Sequence, residues 1–184
     1  MVCTANQCRS PMAEVLLRHR FTERGIDGAI CSAGFLADGI PAVPNAVEAM
    51  KGRGLDISRH LSRVVRADMI DNADVTIATT QHHVSDLVAL APQSAPKIFQ
   101  LRELVACAEA AGHRDPVHTV HDWIAVVHDT RTLGVAGEPR RDIADPVGGS
   151  LIRFQQTGAE LDDFLTCFAD LVNGNQQPVQ TIAR

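Results

Sequence analysis

The chain has 184 residues, room for one domain of ordinary size, and 45% of them are hydrophobic, which excludes wholesale disorder. A net charge of −5, aromatic residues at 4% and the absence of tyrosine speak against a nucleic-acid surface, which needs a basic face and stacking rings. No apolar run reaches the ~18 residues of a membrane span and no signal-peptide pattern opens the chain, so a cytoplasmic protein without membrane partner is expected, its five cysteines free thiols rather than a disulfide framework.

Helical and strand-like segments alternate, the pattern of an α/β domain around a mostly parallel sheet. A helix is predicted from Pro11 to Arg24, with Met12, Val15, Leu16 and Phe21 apolar at helical spacing, Ser10 suited to the N-cap and Gly25 to the stop. Ala29 to Ser32 reads as a short buried strand, and Asn45 to Arg53 as a helix ending at Gly54. Val75 to Thr79, rich in β-branched residues, reads as a strand and Gln81 to Leu90 as a helix with Val84, Leu87 and Val88 on one face. Ile98 to Leu101 is a further strand candidate, followed by helices over Arg102 to Ala111 and Val117 to Asp129. Gly134 to Gly149 has the glycine and proline content of a functional loop, and Ser150 to Val172 reads as a long closing helix despite Gly158. Asn173 to Arg184 has a tail's composition, leaving a single domain over residues 1–172.

The chemistry is concentrated in Cys3-Thr4-Ala5-Asn6-Gln7-Cys8-Arg9-Ser10-Pro11. A loop wrapped at a helix N-terminus points successive backbone N–H groups into one concavity, and the helix dipole favours an oxyanion there. A cysteine at the loop's start feels the same field, which favours its thiolate. An arginine at its end offers a planar fork to two phosphate oxygens. Cys3 and Arg9, with five residues between, therefore supply a nucleophile and a charge clamp around an anion cradle, the equipment for phosphoryl transfer through a cysteinyl-phosphate.

This segment, read with Val2 before it, resembles the N-terminal signature V-C-x-G-N-x-C-R-S-P of the low-molecular-weight protein tyrosine phosphatases, a family that includes arsenate reductase relatives. Cys31-Ser32-Ala33-Gly34, the stretch Leu55 to Arg63 and Arg141-Asp142-Ile143-Ala144-Asp145-Pro146 resemble three later family segments in the right order, while about 106–140 matches poorly and is expected to be an insertion. The resemblance implies a three-layer α/β/α domain with a small parallel sheet of flavodoxin-like winding, in a bacterial protein. It implies Cys3 as nucleophile, Arg9 as phosphate ligand and Asp145 as general acid. The loop residues Thr4, Ala5, Asn6, Gln7, Cys8 and Ser10 would line the substrate, Ser10 assisting the Cys3 sulfur and Asn6 holding an unusual backbone conformation. Ser32 and His60 would support the loop from outside, and Cys8 would form a reversible, protective disulfide with Cys3. A second Asp-Pro pair, Asp115-Pro116, is equal to Asp145-Pro146 in chemistry; the position of Asp145 before the last helix, where the family keeps its acid, selects it.

Three departures stand out. Ala5 replaces a glycine of the family pattern, which is costly if that residue needs positive φ and harmless otherwise. Gln7 and Val147 stand where tyrosine-specific members carry an apolar contact and an aromatic ring. Only Met1 and Val2 precede Cys3, where the family has a strand of about five apolar residues, so a truncated first strand is expected and, with it, a natural start upstream.

Elsewhere, Cys31, Cys107 and Cys167 read as small core residues, and Trp123 as a core residue too. His82 and His83 read as solvated, and His118, His121 and His128 lack the partners of a zinc signature, so no metal and no cofactor are expected. The function expected is metal-independent hydrolysis of a phosphate monoester, protein phosphotyrosine first, by a monomer or weak dimer acting on a phosphorylated protein or small ester. The alternatives are an arsenate reductase using an external thiol, since the Gln81 to Leu90 segment lacks relay cysteines, and a catalytically silent phospho-binding regulator.

Overall fold

A short extended stub leads into a loop and then a helix, and the rest of the chain is packed round that unit. The computed structural model describes residues 1–132 and 142–174; the first half of the loop expected over 134–149 and the tail from 175 lie outside the described residues. The helices are α1 (Arg9–Glu23), α2 (Pro44–Lys51), α3 (Ala67–Asp71), α4 (Gln81–Leu90), α5 (Leu101–Ala111), α6 (Val120–Thr132) and α7 (Leu151–Asn173), and the strands β1 (Thr76–Ala78) and β2 (Ile98–Gln100).

The two strands are parallel, Ile77 opposite Phe99. Val2 forms parallel bridges to Ala33 on one side and Ala78 on the other, with Val2 N donating to Ile77 O (2.8 Å) and Thr79 N to Val2 O (3.0 Å). The extended segments thus lie in the order 33, 2, 78, 98, the winding of a flavodoxin-like sheet. Side chains alternate across it: Ile77 and Phe99 join a core with α1, α2, α5, α6 and α7, whereas Val2, Ala78 and Ile98 join one with Ile70 of α3 and Leu87 of α4. That is the expected three-layer arrangement. The expected strand over Ala29 to Ser32 is not a regular strand: its pairing is confined to Met1 N donating to Cys31 O (2.8 Å) and to the isolated bridge between Ala33 and Val2. Ahead of that residue, between 27–33 and 72–77, lies a cavity of ≈ 250 Å³ lined by Met1, Ile30, Val75, Ile77 and Phe168 among others.

The helix boundaries follow local chemistry. α1 stops where Gly25 takes φ +64° and Ile26 N bonds back to Phe21 O. α5 starts with a capping box between Gln100 and Glu103. The N-cap expected at Ser10 is corrected: α1 begins two residues before the predicted Pro11 and its cap is Cys8, which makes no side-chain cap bond. Ser10 sits in the first turn instead, its hydroxyl engaged with the loop. Residues 106–111 complete α5, and α6 packs on it, with Trp123 3% exposed and its ring centroid 6.0 Å from that of Phe168. Cys107 is buried as expected, but Cys31 is exposed and Cys167, whose thiol donates to Glu109 Oε1 of α5 (3.5 Å), is only half-buried.

Candidate active site

The loop Cys3 to Cys8 lies between the end of the central stub and the start of α1, at the carboxyl end of the sheet where open α/β folds bind ligands. Cys3 is 3% exposed and shares a hydrogen bond of 3.0 Å with Ser10 Oγ. No acidic residue occupies the first turn of α1, so its positive end faces the loop uncompensated by a carboxylate of its own helix.

Asn6 is the pin of the loop. It takes φ +55°, the single non-glycine residue with positive φ among the described residues, and it is fully buried. Every polar group of its side chain is used: Nδ2 donates to Ser10 Oγ (2.9 Å) and Ser32 Oγ (2.8 Å), and Oδ1 accepts from Arg63 N (2.9 Å). His60 Nε2 donates to Asn6 O (2.7 Å). Ser32 in turn donates to Glu14 Oε2 (2.5 Å), and Arg18 also holds Glu14. Burial pushes the Glu14 carboxyl up, but the Ser32 and Arg18 hydrogen bonds outweigh it and hold it below the usual range. Ala5 does not have positive φ, so its replacement of glycine is harmless to the backbone. Gly34 carries the closer constraint: a Cβ there would lie 2.6 Å from Asn6 N and 2.8 Å from Thr4 O.

Arg9 is 5% exposed and spans the site. Its Nη1 donates to Ile143 O (3.1 Å) and its Nη2 to Asp145 Oδ2 (2.7 Å). The segment bearing Asp145 is docked by the fully buried Ile143, whose N–H donates to Thr79 O, and by Gln81 N donating to Asp142 Oδ1. Asp145 Oδ1 accepts from Val147 N (3.1 Å), so the carboxylate is turned back over the loop while its side chain stays half-exposed. Asp115, by contrast, neighbours Arg114, whose N–H bonds to Leu171 O near the far end of α7. α7 is 23 residues and hence about 34 Å long. Asp145 precedes its near end, so the two Asp-Pro pairs stand at opposite ends of the molecule.

Cys8 is a free, buried thiol pushed up to about 12 by burial and by the charges of Asp145 and Cys3. Thr4 is exposed and Gln7 half-buried at the mouth. The structure thus brings together Cys3, Thr4, Ala5, Asn6, Gln7, Cys8, Arg9, Ser10, Ser32, His60 and Asp145. The sequence reading missed Glu14, Arg63 and Ile143. Glu14 carried a signal, standing one turn after Ser10 on the same helix face, whereas Arg63, which bonds Asn6 Oδ1 through its N–H and Ser32 O through Nε, and Ile143, whose carbonyl accepts from Arg9, make contacts that no spacing reveals. His83 is a correction: expected in solvent, it is 4% exposed, because Thr4, Thr79 and Thr80 supply hydroxyl partners for its ring, whereas His82 is exposed beside Asp86. Among the described residues no three His, Cys, Asp or Glu side chains converge as a metal ion requires, and no helix is long and apolar enough to cross a membrane.

The family model of the low molecular weight phosphotyrosine protein phosphatases matches residues 1–133. The chain belongs to this family. It is accordingly an enzyme of the protein-tyrosine-phosphatase-like class, a phosphoric monoester hydrolase. It is 28% identical over 165 residues to the protein-arginine-phosphatase of Bacillus subtilis, covering 89% of each chain. An arsenate reductase of the same organism is 41% identical over 76 residues, 41% of this chain and 51% of that one. A crystal structure of the low molecular weight protein tyrosine phosphatase from T. tengcongensis superposes with a TM-score of 0.72 at 30% identity, covering 93% of this chain and 96% of that chain.

Proposed function

We propose that the chain hydrolyses phosphate monoesters on proteins, phosphotyrosine first, through a cysteinyl-phosphate on Cys3. The observation that supports the reading is the Arg9–Asp145 ion pair of 2.7 Å beside the Cys3 loop, a guanidinium and a carboxyl group together at the start of α1. In the reaction Cys3 Sγ attacks phosphorus in line with the leaving oxygen. Arg9 exchanges Asp145 for two phosphoryl oxygens, and Asp145, protonated, hands its proton to the departing oxygen. In the second half Asp145 takes a proton from water as that water attacks the phosphocysteine, and Ser10 donates to the leaving thiolate. Asn6, Ser32 and His60 hold the loop, and Thr4, Ala5, Gln7 and Cys8 frame the bound group. Cys8 would resolve an oxidised Cys3: a peroxide converts the Cys3 thiolate to a sulfenic acid, its second oxygen leaving as hydroxide or water, and the protonated Cys8 thiol then displaces the sulfenic hydroxyl, its proton leaving with that hydroxyl as water, to close a disulfide.

Apolar side chains on the segments bordering the loop favour an aryl ester. Phe35 N is tied to Thr4 O (2.7 Å), which sets exposed Leu36 beside the loop, while Val147 after the Asp145 turn offers an aliphatic contact in place of a stacking ring. The 41% identity to an arsenate reductase supports a second reading, reduction of arsenate by an external thiol on the same loop.

The test is hydrolysis of an aryl phosphate from pH 5 to 8 in chelator, with phosphotyrosine and phosphoarginine peptides and thiol-driven arsenate turnover run beside it. Turnover is expected to vanish in Cys3→Ser and to fall about 10²–10³-fold in Asp145→Ala. Folded wild-type protein that turns over arsenate but no phosphate ester would overturn the phosphatase reading.

A further inference from the structure

His83 has surroundings more elaborate than the reaction so far requires. It lies in the first turn of α4, stacks on Phe35 with ring centroids 5.7 Å apart and is bonded at both nitrogens. Nε2 is 2.9 Å from Thr4 Oγ1, and Nδ1 is 2.8 Å from Thr80 Oγ1 and 3.2 Å from Thr79 Oγ1. Thr80 is the N-cap of α4, and its oxygen already accepts the N–H of His83 (3.2 Å). Its hydroxyl hydrogen is therefore best given to Nδ1, which leaves the ring proton on Nε2, aimed at Thr4 Oγ1. Thr4 then accepts from the imidazole, and its own hydroxyl hydrogen is turned elsewhere. Thr4 directly follows Cys3 and is exposed at the mouth of the loop.

We propose that His83 is a positioning residue of the phosphate-binding loop: it orients the Thr4 hydroxyl so that the hydroxyl hydrogen is donated to a bound phosphoryl group, and its own protonation is linked to phosphate binding. The inference rests on the phosphatase reading only in taking the loop to bind a phosphoryl group. The charged and titratable side chains facing the ring are Arg9 from α1, His82 and Asp86 on α4 itself, and Asp142 from the segment before α7. Burial first, and then the Arg9 charge, hold the His83 ring below the usual histidine range. An oxyanion against Arg9 offsets that charge. Phosphate therefore favours the protonated ring, and by linkage the protonated ring tightens phosphate binding. This relay runs through the side chain of Thr4, whereas His60 and Arg63 act on Asn6.

Binding of inorganic phosphate to the full chain, followed by calorimetry with NMR titration of the His83 ring, tests the proposal. The His83 titration is expected to move to higher pH when phosphate saturates the loop. His83→Ala and Thr4→Val are each expected to weaken phosphate binding about tenfold, the double variant no more than either alone, since both break one relay. His83→Gln, whose amide N–H stands in for Nε2–H, is expected to recover most of the affinity. In turnover, His83→Ala should raise KM more than it lowers kcat and change the acid limb of kcat/KM.

A His83 titration that ignores phosphate overturns the proposal. So do single-variant losses that multiply to about a hundredfold in the double variant, or variants that melt earlier yet bind phosphate as the wild type does. Should His83→Ala fail to fold, Thr4→Val and the wild-type titration decide the matter. Phosphate binding without ester hydrolysis by the wild type would sink the phosphatase reading and leave this inference intact; hydrolysis with an indifferent His83 would do the reverse.

Discussion

At the scale of single residues, the site is a set of buried polar groups that satisfy one another, with Asn6 at the centre. Asparagine tolerates positive φ because its short polar side chain bonds locally, and here that side chain also serves Ser10, Ser32 and Arg63. Asn6→Ala would meet left-handed backbone at about 1–2 kcal/mol and leave the Arg63 N–H without its acceptor. The variant is expected to unfold at least ~2 kcal/mol more easily and to lose about a hundredfold in kcat/KM. Denaturant unfolding and aryl phosphate kinetics check both, and an unchanged midpoint would show that the loop holds without its pin. Cys3, Asn6, Arg9 and Ser10 were legible in the sequence because nine consecutive residues carry them and the loop forms at a helix start. Arg63, His83 and Ile143 were not, because each reaches the loop through a contact whose geometry has no counterpart in residue order. For His83 the contact with Thr4 spans 79 positions.

At the scale of elements, the long helix α7 holds the loop's helix in place through an ion cluster as well as through apolar packing. Asp162 of α7 accepts from Arg20 of α1 (2.8 and 2.7 Å) and from Arg53 just after α2 (2.7 Å), with its side chain 10% exposed. Burial raises the Asp162 carboxyl, but Arg20 and Arg53 outweigh it and hold it below the usual carboxylate range. A carboxyl whose folded value is depressed contributes stability above its unfolded value, about 3.9, and that contribution is lost as pH falls through the lower folded value. Asp162→Asn is therefore expected to be less stable by about 2 kcal/mol from pH 5 to 8, with the gap to wild type closing only below about pH 4. Urea midpoints at pH 7, 5 and 3.5 measure this, and a gap unchanged at the lowest pH would rule out the ion cluster as its source. Long helices such as α4 and α7 were readable from apolar spacing and their end signals. The Ala29 to Ser32 strand was not, because composition reports a buried segment whereas a regular ladder also needs a neighbour with enough paired residues.

At the scale of the whole molecule, the site joins two ends of the sequence: Arg9 and Asp145 are 136 positions apart and meet because Ile143 is pinned to Thr79 at the end of β1. An anion bound in the loop engages α1 and the sheet together, so it stabilises the fold by mass action. Inorganic phosphate at a hundred times its dissociation constant is expected to add about 2.7 kcal/mol, a rise in Tm of about 5–10 °C for a chain this size. Arg9→Ala should lose most of that rise, and thermal melts with and without phosphate check it; an equal rise in the variant would mean that phosphate binds elsewhere. The sequence by itself determined the α/β class and the loop at the start of α1 that carries Cys3 and Arg9, since these depend on local periodicity and on residues adjacent in the chain. Only the tertiary structure decided that Asp145 meets Arg9 at 2.7 Å, that Ala5 sits in ordinary backbone space and that His83 is buried against Thr4. Those outcomes depend on where helices of fixed length place their ends and on which hydroxyls and backbone groups a folded interior leaves to be paired.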